Sequence, residues 1–337
     1  MAQDILTPQA LEAVTGPTPE AMHLKVIDHL DEQARRWLAA SPLAFAGFSD
    51  ADGVDATLAG GEAGFASVTA DGLLRMPREA LDDAGQARPG RGAGWLFLVP
   101  GIGETLRING AVAGHDGPDV LVDVLECYAH CAKALLRSGF WDAAESAGGT
   151  PPDDAQAFIG ACRFLALVTA DAAQHTDVSP KGDPAGALLC EDEAGLWLAD
   201  RPGNRRMDGL RNMLSQPAVA ALALVPGCGR VALLHARARV SADPGRRQAL
   251  AVQGKQPKVV ALFEAPRITL YDSPALARAG LWSGLWPDTG IDPAQVFAAH
   301  VGLNRQRGLR AALARGLVRV PGLMRKGLEQ DYKRNLY

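Results

Sequence analysis

The sequence has few aromatic residues, 6% of 337, and only five cysteines. An odd and sparse cysteine count implies no disulfide framework and fits a reducing compartment. No apolar run approaches the ~18 residues that a membrane helix needs, so no membrane partner is expected. The opening stretch Met1-Ala2-Gln3-Asp4-Ile5-Leu6-Thr7 carries an early acid and lacks a basic start. It does not read as a secretion signal, and a cytoplasmic location is the expectation. Neither sign of charge dominates: 34 Lys and Arg against 38 Asp and Glu leave −4. That balance argues against a general nucleic-acid binder. Glycine (37) and proline (22) are abundant. They favour the many turns of barrels and sandwiches over a helix bundle. Hydrophobic residues at 47% and charged residues at 21% are ordinary for a folded chain. The length suggests two domains.

Basic charge gathers at the end, where residues 303–334 hold nine Arg or Lys and two acids. This tail reads as a solvated helical extension or a packing arm, with an anionic partner as the alternative. Internal similarity is more telling. Leu96-Phe97-Leu98-Val99-Pro100-Gly101-Ile102-Gly103 matches Leu222-Ala223-Leu224-Val225-Pro226-Gly227-Cys228-Gly229, 126 residues later. Asp55–Gly64 aligns with Asp177–Gly186 at offset 122, and Leu136–Trp141 with Ala277–Trp282 at offset 141. Three matches in the same order indicate a duplicated domain with insertions.

Each half reads as short strands with few helices, hence a small antiparallel barrel. Strands are expected at 43–48, 64–69, 73–76, up to Pro100 and 104–113. In the second half they are expected near 163–169, 186–190, 195–199, 218–225 and 230–240. Asp50-Ala51-Asp52-Gly53 has hairpin chemistry. Helices are expected at 31–38, 119–138 and 205–214.

Two segments carry candidate chemistry. Ser179-Pro180-Lys181-Gly182-Asp183-Pro184 puts a hydroxyl, a cation and flexible backbone into one turn. Asp200-Arg201-Pro202-Gly203-Asn204-Arg205-Arg206 leads into a helix bearing Asp208, Arg211 and Asn212. Gly203 permits close backbone approach, the arginines offer forked donors, and a helix start adds positive potential. Together they read as a phosphate cradle; a plain turn with its arginines in water fits the same spacing. Cys127-x-x-His130-Cys131 has ligand-type residues at helical spacing, but no second cluster accompanies it, so no metal is expected. Gly101-x-Gly103 lacks the third glycine of a dinucleotide fingerprint. No nucleophile elbow is present.

These motifs resemble those of the FMN-binding split-barrel proteins of the pyridoxamine 5'-phosphate oxidase superfamily. The similarity spans residues 30–142 and 158–337, and the ending Leu328–Tyr337 looks like an oxidase-like bacterial subgroup. In that family two barrels pair, with flavin in the groove between them. The family's Ser-Pro-Arg-Gly-Asp turn matches Ser179, Pro180, Lys181, Gly182 and Asp183, with Lys181 in place of the arginine. Its Arg-Pro-Gly-Asn turn matches Arg201, Pro202, Gly203 and Asn204, and its helix matches Arg205, Asp208, Arg211 and Asn212. A third motif matches Pro100, Gly101, Glu104, Thr105, Leu106, Arg107 and Gly110, and is expected to reach the flavin from the facing barrel.

The losses are complementary. The first half keeps Glu104-Thr105-Leu106-Arg107 but has Ala59 and Gly61 where Lys181 and Asp183 align, and Arg78-Glu79-Ala80-Leu81 for the second turn. The second half keeps both turns but has Arg230-Val231-Ala232-Leu233 for the third motif. The resemblance thus implies a mainly β chain with α (α+β), two tandem split β-barrels forming an intrachain pseudo-dimer. The boundaries are 1–30 for an N-terminal helical extension, 31–142 and 158–300 for the barrels, 143–157 for the linker and 301–337 for the basic helical tail.

It also implies one composite FMN site per chain. Lys181, Arg201 and Arg205 would neutralise the phosphate. Ser179, Asn204 and Asn212 would donate to phosphate or ring edge. Arg107 would lie near the electron-rich end of the ring, oriented by Glu104. The implied activity is an FMN-dependent oxidoreductase acting on a small molecule, with NAD(P)H as a candidate donor. The alternatives are a flavin- or haem-binding protein without catalysis and a deazaflavin-dependent reductase. Pairing of two chains stays open.

Overall fold

The computed structural model describes residues 4–19, 21–142, 152–203, 206–284, 286–306, 308, 312, 315, 316, 318 and 322–337. Asn204, Arg205 and most of the expected linker lie outside the described residues.

Among the described residues, fourteen strands form two seven-stranded sheets. The first sheet contains β1 (Leu43–Asp50), β2 (Gly53–Gly60), β3 (Ser67–Val68), β4 (Leu74–Pro77), β5 (Gly92–Leu98), β6 (Thr105–Asp116) and β7 (Asp119–His130). The second contains β8 (Phe164–Ala170), β9 (Thr176–Gly182), β10 (Leu189–Asp192), β11 (Gly195–Ala199), β12 (Ala218–Leu224), β13 (Arg230–Ser241) and β14 (Val260–Asp272). The helices are α1 (Pro8–Thr15), α2 (Ala21–Leu24), α3 (Glu32–Ala40), α4 (Lys133–Ser138), α5 (Ala155–Ala161), α6 (Asp208–Ser215), α7 (Pro244–Ala249), α8 (Pro274–Ala279), α9 (Pro293–Leu303) and α10 (Leu323–Arg334).

The strand orders are β2-β1-β5-β6-β7-β4-β3 and β9-β8-β12-β13-β14-β11-β10. Adding seven to each number of the first order gives the second, so the duplication seen in the sequence is a duplication of topology. All the named pairings are antiparallel, and neither sheet closes on itself.

The central strands are near-continuous apolar runs because both their faces are covered. Successive side chains of a strand point to opposite faces. Ala44, Ala46 and Phe48 enter the core of the first half, while Leu43 and Phe45 enter a core shared by both halves. Leu165 and Leu167 enter the second core, while Phe164, Ala166 and Val168 enter the shared one. The Phe45 and Phe164 rings meet there at 5.3 Å.

Three expectations need correction. Residues 119–130 form strand β7, not the start of a helix. Val120, Val122 and Val124 alternate with Asp119, Leu121 and Asp123, a period of two that suits a pleated surface. Cys127, His130 and Cys131 therefore do not share a helical face, and Cys127 is buried in the first core. Ser179-Pro180-Lys181-Gly182 is strand, not turn. Proline is tolerated because β9 is an edge strand. Strands β2 and β14 were not expected at all.

Candidate functional site

The two halves cross-connect at equivalent points. From the first half, Asn109 Nδ2 on β6 donates to Asp177 Oδ1 on β9 at 2.8 Å. From the second, His235 on β13 meets Asp55 Oδ1 on β2 at 3.0 Å. Asp55 aligns with Asp177 and Asn109 with His235, so the contacts are related by the pseudo-twofold. A second pair is closer still. Arg137 Nε donates to the Gly182 carbonyl at 2.9 Å, and Arg278 Nε to the Gly60 carbonyl at 3.0 Å. Arg137 also reaches the Pro202 carbonyl, and Arg278 those of Glu79 and Ala80. A Cβ on Gly182 would overlap the Ala134 carbonyl, and one on Gly60 the Ala275 carbonyl. Both glycines are small because a helix, α4 or α8, packs its backbone onto the strand.

The two equivalent places differ in their ionic groups: Asp55 pairs with the buried Arg91 at 3.1 Å, whereas the Asp177 place gathers the motif cations. Arg107 is buried and extends from β6 into the second half. Its Nη1 donates to the Tyr128 hydroxyl at 2.8 Å and to Asp177 Oδ1 at 3.2 Å, and its Nη2 to Ser179 Oγ at 3.0 Å. Asp177 also accepts from Asn212 Nδ2 at 3.0 Å. Burial pushes the Asp177 carboxyl up, and the Arg107 charge opposes it. Arg201 Nε bonds Asp183 Oδ2 at 2.7 Å, and Lys181 Nζ bonds Asp200 at 3.1 Å. Arg206 bonds Asp208 at 2.6 Å and Glu126 at 3.0 Å, and stacks over Tyr128 at 4.8 Å.

A cleft of about 70 Å³ lies among these groups. Arg107, Arg137, Lys181, Arg201 and Arg206 line it with Asp183, Asp200 and Asp208, while Asp177 and Glu126 pair with Arg107 and Arg206 from behind the wall. His130 lines it as well, and burial beside Arg107 and Lys25 holds its imidazole far below the ordinary range, hence uncharged. Among the described residues, Arg201 Nη2 is buried without a hydrogen-bond partner. A partly enclosed cleft lined by five cationic side chains, with an unused guanidinium donor, fits a phosphate group. Chambers of about 390 Å³ and 270 Å³ adjoin it through Gly203.

The expected site residues divide into groups. Ser179, Lys181, Gly182, Asp183, Arg201, Gly203 and Arg107 line the cleft. Asn212 stands behind it on Asp177, and Arg211 turns to Thr18 Oγ1 at 3.1 Å. Both line a separate cavity of about 320 Å³. Leu106 is core, and Thr105 is fully buried. Glu104 does not touch Arg107: it accepts from the Tyr332 hydroxyl at 2.8 Å and borders the 390 Å³ chamber. Residues three apart on an extended chain face opposite ways, which separates the two. Asn204 and Arg205 are outside the described residues.

Sequence reasoning passed over Asp177, Asn109, Tyr128 and Arg137 as site residues. The repeat held a signal for two of them, since Asp177 aligns with Asp55 and Arg137 with Arg278. The C-terminal arm is the other surprise. The Tyr337 ring lies 5.8 Å from both the Arg137 and Arg201 guanidinium groups, and Arg137 donates to the Leu336 carbonyl at 2.8 Å. The end of the tail therefore packs against the cleft. Among the described residues no cluster of His, Cys, Asp and Glu could hold a metal, and no helix is long and apolar enough to cross a membrane.

Residues 151–272 match the family model of pyridoxamine 5'-phosphate oxidase. This segment spans β8–β14 and all the cleft residues of the second half. The second half thus resembles the pyridoxamine 5'-phosphate oxidase family, and the first half repeats the topology of the matched one. Among solved structures, HupZ of Group A Streptococcus is similar at 13% identity and a TM-score of 0.28, covering 34% of this chain and 88% of that one. Its H111A variant is similar at 11% and 0.30, covering 36% and 100%. No curated protein matches the chain.

Proposed function

We propose that this chain is an FMN-dependent oxidoreductase with one composite cofactor site, acting on a small molecule. The observation that carries the reading is the cleft itself. Its walls come from both halves and bring five cationic side chains, Arg107, Arg137, Lys181, Arg201 and Arg206, around one small space. Lys181 and Arg201 would hold the phosphate, helped by Ser179. Arg107, fixed by Tyr128 and Asp177, supplies a permanent positive charge beside that position. The adjoining chamber of about 270 Å³ leaves room for a ring system attached to the phosphate. Bound flavin would supply hydride acceptance and donation. The chain's own groups bind, orient and exclude water. The uncharged His130 presents a donor or acceptor without adding to the cleft's charge.

The test is titration of the purified chain with FMN, followed by flavin fluorescence. Lys181→Ala should weaken binding by about 10–100-fold, the value of one charged hydrogen bond. Unchanged affinity in that variant, or a Soret band in place of flavin bands, would overturn the reading. Anaerobic addition of NADH or NADPH then separates an enzyme, which bleaches, from a binding protein, which does not.

A further inference from the structure

The chamber of about 390 Å³ has a chemistry distinct from that of the cleft. Its wall includes Met22 and Lys25 of the N-terminal segment, Phe297 of α9, and Leu328 and Tyr332 of α10. The other ionic groups there are satisfied within the wall. Lys133 Nζ meets Asp331 at 2.7 Å, and Glu104 accepts from Tyr332.

Lys25 is different. It is 3% exposed, and its Nζ donates to the Ala129 carbonyl at 2.9 Å. It lies 5.1 Å from the Tyr128 ring and 5.9 Å from the Phe297 ring. Among the described residues no carboxylate stands within ion-pair reach of it. An ammonium has three donors, and a buried charge without a counter-charge is costly. A ligand anion entering the chamber would remove that cost. With one available cation and a largely apolar wall, the chamber suits a monoanion carried on a flat apolar body.

We propose that the chamber binds a small aromatic or heteroaromatic carboxylate, with the carboxylate on Lys25 Nζ and the ring against Phe297 and Leu328. The proposal does not rest on the flavin reading, because the residues it uses are not those that hold the phosphate.

The experiment is calorimetric titration of the full chain with benzoate and with benzamide, its uncharged counterpart. Benzoate should bind saturably and at least ten times more tightly than benzamide. Lys25→Met should bring the two to parity, since what remains is the apolar wall. Lys181→Ala should leave the preference intact while weakening FMN. Absence of saturable benzoate binding, equal affinities in the parent chain, or a preference that survives Lys25→Met would each overturn the proposal.

A pH series on the parent chain serves if Lys25→Met does not fold. Burial lowers the Lys25 ammonium to about 8. Benzoate affinity should therefore fall at least tenfold between about pH 7 and 10, while benzamide stays flat. Cys131, Arg107, Arg206 and Asp208 act on Lys25 electrostatically, and Glu104, His130, Lys133, Asp331 and Tyr332 border the chamber. The series is repeated in Cys131→Ala to remove the thiol. A flat benzoate profile in both chains overturns the assignment.

Discussion

Replacing Asp177 by Asn should destabilise the whole chain, because the buried residue joins the two halves. Its carboxylate takes hydrogen bonds from Arg107, Asn109 and Asn212, at 3.2, 2.8 and 3.0 Å. At an effective dielectric of 20, unit charges at that Arg107 distance attract by about 5 kcal/mol. Arg107 keeps the Tyr128 and Ser179 oxygens in the variant, which offsets part of the loss. Breaking a buried pair on one side costs roughly 3–5 kcal/mol, so about 3 kcal/mol is expected. Arg107→Met should cost somewhat less, since Asp177 retains two amide donors.

The decisive comparison is the double variant. If the attraction between the halves is real, removing both charges relieves the orphan each single change creates. The combined cost should fall short of the sum by about 1–3 kcal/mol. Urea unfolding followed by tryptophan fluorescence measures all three. Strict additivity, within about 0.5 kcal/mol, would refute the claim that this pair couples the two sheets.

Gly182→Ala and Gly60→Ala should each lower stability by about 1–3 kcal/mol, because each new methyl meets a helix carbonyl, and thermal melting reads both. Arg137→Met and Arg278→Met should likewise cost similar amounts, about 1.5–3 kcal/mol each, since the two side chains hold equivalent carbonyls. A large effect at one and none at the other would break the proposed equivalence. Burial raises the Glu104 carboxyl above its ordinary value. An acid with a raised folded pKa binds more protons folded than unfolded. Stability should therefore fall as pH rises from that ordinary value through the raised one. Glu104→Gln should remove this slope, which urea midpoints across the acid range would show.

Much of the architecture was legible before any coordinates. The Pro-Gly matches after β5 and β12, and the offsets of 122, 126 and 141, gave the duplication. They could do so because buried strands leave long apolar runs that resist drift. The hairpin at Asp50–Gly53 was also plain, and Asp52 N indeed bonds Asp50 Oδ1 at 3.0 Å.

Strand β9 was missed because its sequence, Ser-Pro-Lys-Gly, has turn composition. Only its place at a sheet edge makes it a strand. Strand β7 was missed because Leu121 and Leu125 mask its alternation on the solvent side, where Leu125 is exposed. Of the cleft, Arg107, Lys181, Asp183 and Arg201 are legible in the motifs, whereas Arg206, Asp200 and Asp208 are given no role by them. Arg137 is marked only by its alignment with Arg278, because its hydrogen-bond partners are backbone carbonyls. Glu104 and Arg107 were treated as a unit because they are neighbours in the chain. Strand pleating sends them into different compartments.

The crossing of Asn109 to Asp177 and of His235 to Asp55 has a consequence beyond geometry. A site shared by two separate chains vanishes on dilution, and every substitution strikes both of its copies. Joined by a peptide backbone, the same walls meet at any concentration, and one copy is free to decay while the other is kept. Asp55 accordingly meets Arg91 and His235, where Asp177 meets Arg107 and Asn109.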